Sequence, residues 1–276
     1  MTRARPLPVP ALVTVAILLV VGPASSATGH LAAASRLLPA AQSELPCPPF
    51  PGPAAFVARI DNPYLPLLPG TTYIYRGTED GDEERNVVEV THETKSILGV
   101  QAVVVRDTVS DRRGGLIEQT LDWFAQDTAG NVWYLGEDSK DYEHGQVVST
   151  EGSWEAGVGG AQPGILMMAQ PGKGVAYRQE CAPGVAEDSA QILDLKSSVE
   201  TSRDDYGHAL RIREWTPLEP GVAEEKYYVK CIGLVKVVVV KGGKGSTSLV
   251  DVQNGPSATD LGCKDKRNHH RKHGKH

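Results

Sequence analysis

From Thr71 onward the chain alternates between short β-branched or aromatic stretches and tight-turn signals, and this rhythm constrains the fold more than any other feature. "TTYIYRG" opens the series. "RNVVEVTHET" follows, with Val88 and Val90 on one face and Glu89, Thr91 and Glu93 on the other. A period of two is the mark of a half-buried strand. "ILGVQAVVVRDTVS", "LIEQTLDWFAQD", "NVWYLGE", "HALRIREWT", "VAEEKYYVK", "GLVKVVVVKG" and "STSLVDVQ" continue it, separated by Gly-, Pro- and Asn-bearing turns. Such spacing, with little helical periodicity, predicts an all-β, mostly antiparallel fold. About 10 to 12 strands fit the turn signals. A strongly curved sheet or open barrel of consecutive hairpins accommodates such a meander better than a Greek-key sandwich. One or two short helices at most are expected, and Ala186–Leu195 is the best candidate. Glu151–Gly174, rich in Gly and Pro, reads as one long loop; a loop of that length in a compact domain is usually functional.

The stretch "DWFAQDTAGNVWYLGED", from Asp122 to Asp138, is the clearest hairpin. Asp127–Asn131 supplies the turn, with Gly and Asn suited to positive φ. Antiparallel pairing of its arms would gather Trp123, Phe124, Trp133 and Tyr134 into one cross-strand cluster.

The ends differ from this body. Arg3 and Arg5 precede an apolar run from Val9 to Val21, and Ser25, Ser26 and Ala27 supply small residues for cleavage. Residues 1–27 therefore read as a signal peptide, with the run too short for a membrane span. Residues 28–53 read as an Ala/Pro-rich linker, 54–255 as a single β-rich domain and 256–276 as a basic, His-rich tail. Four cysteines in an exported chain imply two disulfides with three connectivities open. Cys181–Cys231 within the domain and Cys47–Cys263 across its ends are the expected pairs. Residues 1–27 carry two positive charges and Lys264–His276 a net five, so the body between carries −13 of the total of −6. An acidic body argues against a nucleic-acid partner.

"DNPYLPLLPGTTYIYRG", "DWFAQDTAGNVWYLGED", "STEGSWEAG", "PGILMMAQPGKGVAYRQE", "EWTPLEPGVAEEKYYVK" and "GLVKVVV" resemble a family of exported, β-rich bacterial proteins of actinobacterial type. The resemblance spans about residues 60–253 and brings no activity and no catalytic residue. At the level of fold, the Tyr-rich strand before "GLVK" is similar to the closing strands of lipoprotein-carrier-like half-barrels. Cys231 in "YYVKCIGLVK" stands where such relatives would show a plain turn.

The candidate chemistry is sparse. Trp123, Trp133, Tyr134, Trp154 and Trp215 could line a ligand-binding surface on the curved sheet, with the Glu151–Gly174 loop as a lid. Such a face could also stack a sugar, with carboxylates beside it. Glu151 and Glu155, flanking Trp154, are the one pair compatible with glycoside hydrolysis, which needs two carboxylates across a cleft. Asp127, Asn131, Glu137, Asp138, Asp141 and Glu143 are hard oxygen ligands, but the calcium-loop motif is absent. Ser153 lacks a nucleophile motif, and His92, His144 and His208 stand alone. His269, His270, His273 and His276 could bind a transition metal, or the basic tail could associate weakly with anionic envelope polymers. The expected protein is thus an exported envelope binder of an apolar or amphipathic molecule, without a cofactor. A cell-wall hydrolase and a purely structural domain are the alternatives.

Overall fold

A computed structural model describes residues 45–255 and residue 261. The signal peptide, the histidines of the tail and Cys263 lie outside the described residues. Among those described, fifteen strands form one sheet in which every ladder is antiparallel. They are β1 (Phe56–Val57), β2 (Thr72–Glu79), β3 (Asp82–Ile97), β4 (Val100–Asp111), β5 (Leu116–Asp127), β6 (Val132–Glu143), β7 (Gln146–Ser149) and β8 (Trp154–Glu155). There follow β9 (Gly164–Met167), β10 (Ala176–Arg178), β11 (Ser189–Glu200), β12 (Asp205–Trp215), β13 (Ala223–Val229), β14 (Gly233–Lys241) and β15 (Gly245–Gln253).

The sheet is open and consists of two meanders. β2 to β7 form one and β10 to β15 the other, and the pairing of β15 with β2 joins them. Register shifts interrupt several ladders, between Val90 and Thr94 on β3 and between Asp122 and Phe124 on β5 among others. Such bulges bend and twist a long strand. The far ends of the sheet accordingly meet. β9 pairs with β6 and lies against β10, and just before β9 Gln162 forms an isolated bridge with Cys181. Gly164 is required there, because the Gln179 carbonyl occupies the place that a Cβ would take.

The hairpin between β5 and β6 forms as its turn residues dictate. Gly130 takes φ +94°, and the Asp127 carboxylate accepts the Asn131 backbone N–H at 2.9 Å, Asn131 Nδ2 at 2.8 Å and Trp133 Nε1 at 2.8 Å. Asn62 binds the tip, donating from Nδ2 to the Gly130 carbonyl at 2.8 Å. The expected four-residue aromatic cluster divides instead. Phe124 pairs with Tyr134 and stacks on it at 4.7 Å, whereas Trp133 pairs with Ala125 and Trp123 with Val104, so the two tryptophans occupy the opposite face. Successive residues of a strand point to opposite sides, which separates each Trp from its neighbour.

That opposite face is covered by the N-terminal strap. Phe50 and Phe56 pack edge-on to Trp133 at 6.2 and 6.0 Å, and β1 pairs with β5. The strap is tied down by a disulfide from Cys47 to Cys181, 134 residues away, with their Cα atoms 6.1 Å apart. This overturns the Cys181–Cys231 and Cys47–Cys263 pairing. Cys231 sits in the turn between β13 and β14, is itself disulfide-bonded, and no free cysteine occurs among the described residues. The bond staples the strap on β5 to the chain just beyond β10, spanning the seam. Peptide mapping of non-reduced protein is expected to recover a Cys47 peptide joined to Cys181; a Cys181–Cys231 peptide would refute this arrangement.

Two further expectations are corrected. Ala186–Leu195 is not a helix: Ser189 begins β11, whose Ala190 and Ile192 are buried on a period of two between β10 and β12. Cross-strand pairing there outweighs local helix propensity. Glu151–Gly174 is not one continuous loop either, since it contains β8 and β9, both hydrogen-bonded to β6. These short strands raise the count beyond the dozen legible in the turn signals.

Candidate functional site

Directly opposed residues of an antiparallel ladder share a face, so the register defines what the inner face carries. Val88, Asp107, Thr120 and Ser139 are successive partners across β3, β4, β5 and β6. Val105, Asp122 and Glu137 form the next row, and Asn86, Val109, Glu118 and Asp141 the one on the other side. On the second meander, Glu214 opposes Glu224 and Ile212 opposes Lys226. The same face is therefore apolar along one band and acidic along another. Asp107, Glu118, Asp122, Glu137, Glu214 and Glu224 are all buried, and Lys226 is fully so.

Burial of so many acids has electrostatic consequences, since desolvation disfavours the charged form of a carboxyl group. Burial pushes the Asp122 carboxyl up to about 7, against a hydrogen bond from the Tyr134 hydroxyl at 2.6 Å and with added repulsion from Glu118. Burial raises Glu137 and Glu180 well above the carboxylate range; Glu180 and Asp122 add to the first, Asp188 and Asp122 to the second. Asp107 is raised in the same way, with Asp122 and Glu118 nearby, although Asn86 Nδ2 donates to it at 2.6 Å. Burial also carries Glu224 up to about 7. Towards the rim, Glu79 is pushed to about 9 and Glu84 to about 7, each first by burial and then by neighbouring acids.

Lys226 is the cation at the centre of this field. Its Nζ lies 2.6 Å from Glu214 Oε2, and Gln179 Nε2 donates to the other oxygen of Glu214 at 3.0 Å. Burial alone would pull the ammonium pKa down, but the carboxylates of Glu214 and Glu224 outweigh it and hold the group above the ordinary lysine value. One lysine does not complement the whole face. Asp122 Oδ2, Asp107 Oδ2, Gln179 Oε1 and the indole Nε1 of Trp154 are buried without a hydrogen bond among the described groups. Neither oxygen of Glu180 makes a well-formed hydrogen bond, although the Asp188 backbone lies near enough to hold its pKa down slightly.

The aromatic candidates fall in separate places. Tyr134 is on the inner face with Asp122. Trp154, on β8 opposite Glu137, stands edge-on to Tyr134 at 5.5 Å. Trp123 carries Lys95 Nζ 3.3 Å above its ring, and Trp133 lies under the strap. Trp215, half-buried at the end of β12, opposes Ser189. Of the two acids considered for hydrolysis, Glu155 forms an ion pair with Lys95 at 2.7 Å and Glu151 is exposed. Ser153 hydrogen-bonds the backbone of Ser139. Among the described residues no group of three or more His, Cys, Asp or Glu is arranged to hold a metal ion. Asp127 is occupied by its own turn: burial would raise its pKa, but hydrogen bonds from Asn131 and Trp133 outweigh it and hold the carboxyl low.

The acidic inner face was missed as a unit, although a signal for it existed. In "VRDTV", "TLDWF" and "AEEKYYV" the charged residue sits two positions from a buried one and so shares its face. Alternation makes such charges inward-pointing, which surface carboxylates are not.

No protein-family model matches the chain, and no curated protein matches it. Similar solved structures include a protein described as exported, with a YMCC-like fold, from Bacteroides fragilis, at 16% identity and a TM-score of 0.40. They also include one described as a lipoprotein, from Parabacteroides distasonis, at 11% identity and a TM-score of 0.33. Each alignment covers 69% of this chain and 98% of the other.

Proposed function

We propose that the chain is an exported, extracytoplasmic binding protein that holds an amphipathic molecule on the inner face of its curved sheet. The observation that carries this reading is the composition of that face. Val88, Val90, Val105, Leu210, Ile212 and Leu249 bury an apolar band of that face in the core, and beside it lie buried carboxylates whose hydrogen-bonding capacity is not filled among the described residues. An unsatisfied buried polar group costs about 1–3 kcal/mol, so several on one face favour an occupant that supplies partners. A ligand pocket of mostly apolar lining with a few convergent polar groups is the usual binding arrangement. Export is supported by the basic and apolar N-terminus and by the cysteines, whose bonding fits an oxidising compartment. We read the segment from residue 150 to 163, tied to β6 by the two-residue β8, as the lid. The actinobacterial-type resemblance and the carrier-like half-barrel are in keeping with the same role.

Native mass spectrometry of protein exported by a bacterial host is expected to show an added small-molecule mass that is lost on denaturation. Protein that is always empty, and that takes up neither decanol nor decylamine when titrated, overturns the reading.

A further inference from the structure

We infer that Cys231 is bonded to Cys263, and that this second disulfide roots the basic tail at the turn between β13 and β14. The chain has four cysteines, and the Cys47–Cys181 bond uses two of them. Cys231 is disulfide-bonded as well, which leaves Cys263 as its partner within the chain. Formation of the bond removes two protons and two electrons from the two thiols. An exchanging protein disulfide of an oxidising compartment takes up the electrons.

The backbone of the turn shows why a cysteine there needs a role. Cys231 takes φ +68°, a left-handed conformation that glycine and asparagine adopt readily and other residues seldom do. A side chain kept at such a position is held by its surroundings, and a crosslink supplies that hold. The Cys231 N–H also donates to the Pro63 carbonyl at 2.6 Å, and a Cβ on Gly233 would touch Pro66 and Tyr73. The turn is therefore seated against the segment that leads into β2.

The end of the last strand comes to the same place. β15 runs to Gln253, which opposes Thr72, and a Cβ on Gly255 would touch Thr71. On the other side of β15, Lys236 of β14 opposes Ser248, and that register carried on towards the turn sets Cys231 about level with Gln253. Seven residues separate Gly255 from Cys263. They allow a reach of up to about 26 Å, whereas the Cα atoms of bonded cysteines stand about 4–7 Å apart. Leu261, two residues before Cys263, is half-buried, as a chain returning to the body requires.

A bond to a second copy fits less well. Cys231 is half-buried in its turn. A thiol on so short a tether meets it at an effective concentration on the order of millimolar, about a thousandfold above a second chain at micromolar protein. The bond also separates charge along the molecule. β2 runs from Thr72, near the root of the tail, to Glu79, and the hairpin at that far end carries Glu79, Asp80, Asp82, Glu83 and Glu84. A strand of that length spans about 23 Å, well beyond the roughly 8 Å over which exposed charges interact at physiological salt. The basic tail thus starts at the end of β2 opposite the acidic hairpin.

The test uses the full chain exported into an oxidising compartment, with free thiols blocked before digestion. Trypsin is expected to release residues 231–236 disulfide-linked to residues 245–264. Cys263→Ser should free one thiol, alkylated at Cys231 after denaturation, and leave the Cys47–Cys181 link unchanged. If that variant fails to fold, the peptide map of the unaltered chain decides alone. Residues 231–236 found unlinked, joined to a second copy of themselves, or joined to the Cys47 or Cys181 peptide overturn the inference. A folded Cys263→Ser protein whose Cys231 stays closed to alkylation overturns it too.

Discussion

Raising the pH from about 5 to about 8 is expected to lower the unfolding free energy, by on the order of 3–6 kcal/mol through Asp122 and Glu224 alone. Asp122 and Glu224, raised to about 7 chiefly by burial, hold protons in the folded protein that an unfolded chain would release near pH 4. Asp107, Glu137 and Glu180, raised further, remain protonated later. Between the two pKa values the folded state binds more protons, so stability declines with pH at about 1.4 kcal/mol per unit for each excess proton. The contribution is complete below the ordinary carboxylate range and is lost as pH rises through the folded values. Asp127 works in the opposite sense, because its carboxyl is held low; its contribution is lost as pH falls towards its folded value. The maximum therefore belongs on the mildly acidic side of neutrality. Urea titrations followed by tryptophan fluorescence at pH 5, 6, 7 and 8 measure the profile. A flat or rising curve would mean that the acids of the inner face are ionised and fully paired, and Glu180→Gln should flatten the decline.

The strands and their inner face were legible to different degrees, for physical reasons. Val88 and Val90 on one side and Glu89 and Glu93 on the other follow directly from alternation, and the Asp127–Asn131 turn follows from its residue types. Thr91 is buried although its parity is polar, because the bulge between Val90 and Thr94 shifts the register. Pairings distant in sequence were less accessible. Nothing local says that β15 lies beside β2, or that Cys47 reaches Cys181 rather than Cys263. The site was hidden by the same limit. Asp122 and Glu137 are visible within one hairpin, but the approach of β9 to β10 and the Gln162–Cys181 bridge appear only in the folded chain. Trp123 and Trp133 are parted from Tyr134 and Trp154 by the pleat: the residue next to an inward Phe124 or Tyr134 must face outward, while Trp215 lies on a different strand, β12.

Lys226→Met is expected to destabilise the protein by about 3–5 kcal/mol at neutral pH, the usual cost of removing one partner from a buried ion pair. Met keeps the length and most of the volume of the stem, so the loss is of charge rather than packing. Without Nζ, Glu214 and Glu224 face each other across β12 and β13, with no buried counter-charge that the ladder brings between them. Protonation is the remaining escape, and its cost grows with pH. The penalty should therefore be larger at pH 8 than at pH 5, a dependence that a simple cavity would not show. Adding Glu214→Gln to Lys226→Met removes one of the two stranded acids and should recover part of the loss, because the two changes are coupled through one contact. The Gln179 side chain, which donates to Glu214 at 3.0 Å, can donate to the new amide oxygen as well. Urea midpoints for the single and double variants at both pH values decide the matter. A Lys226→Met protein as stable as the parent at pH 8 would show that the inner face tolerates its acids without the lysine.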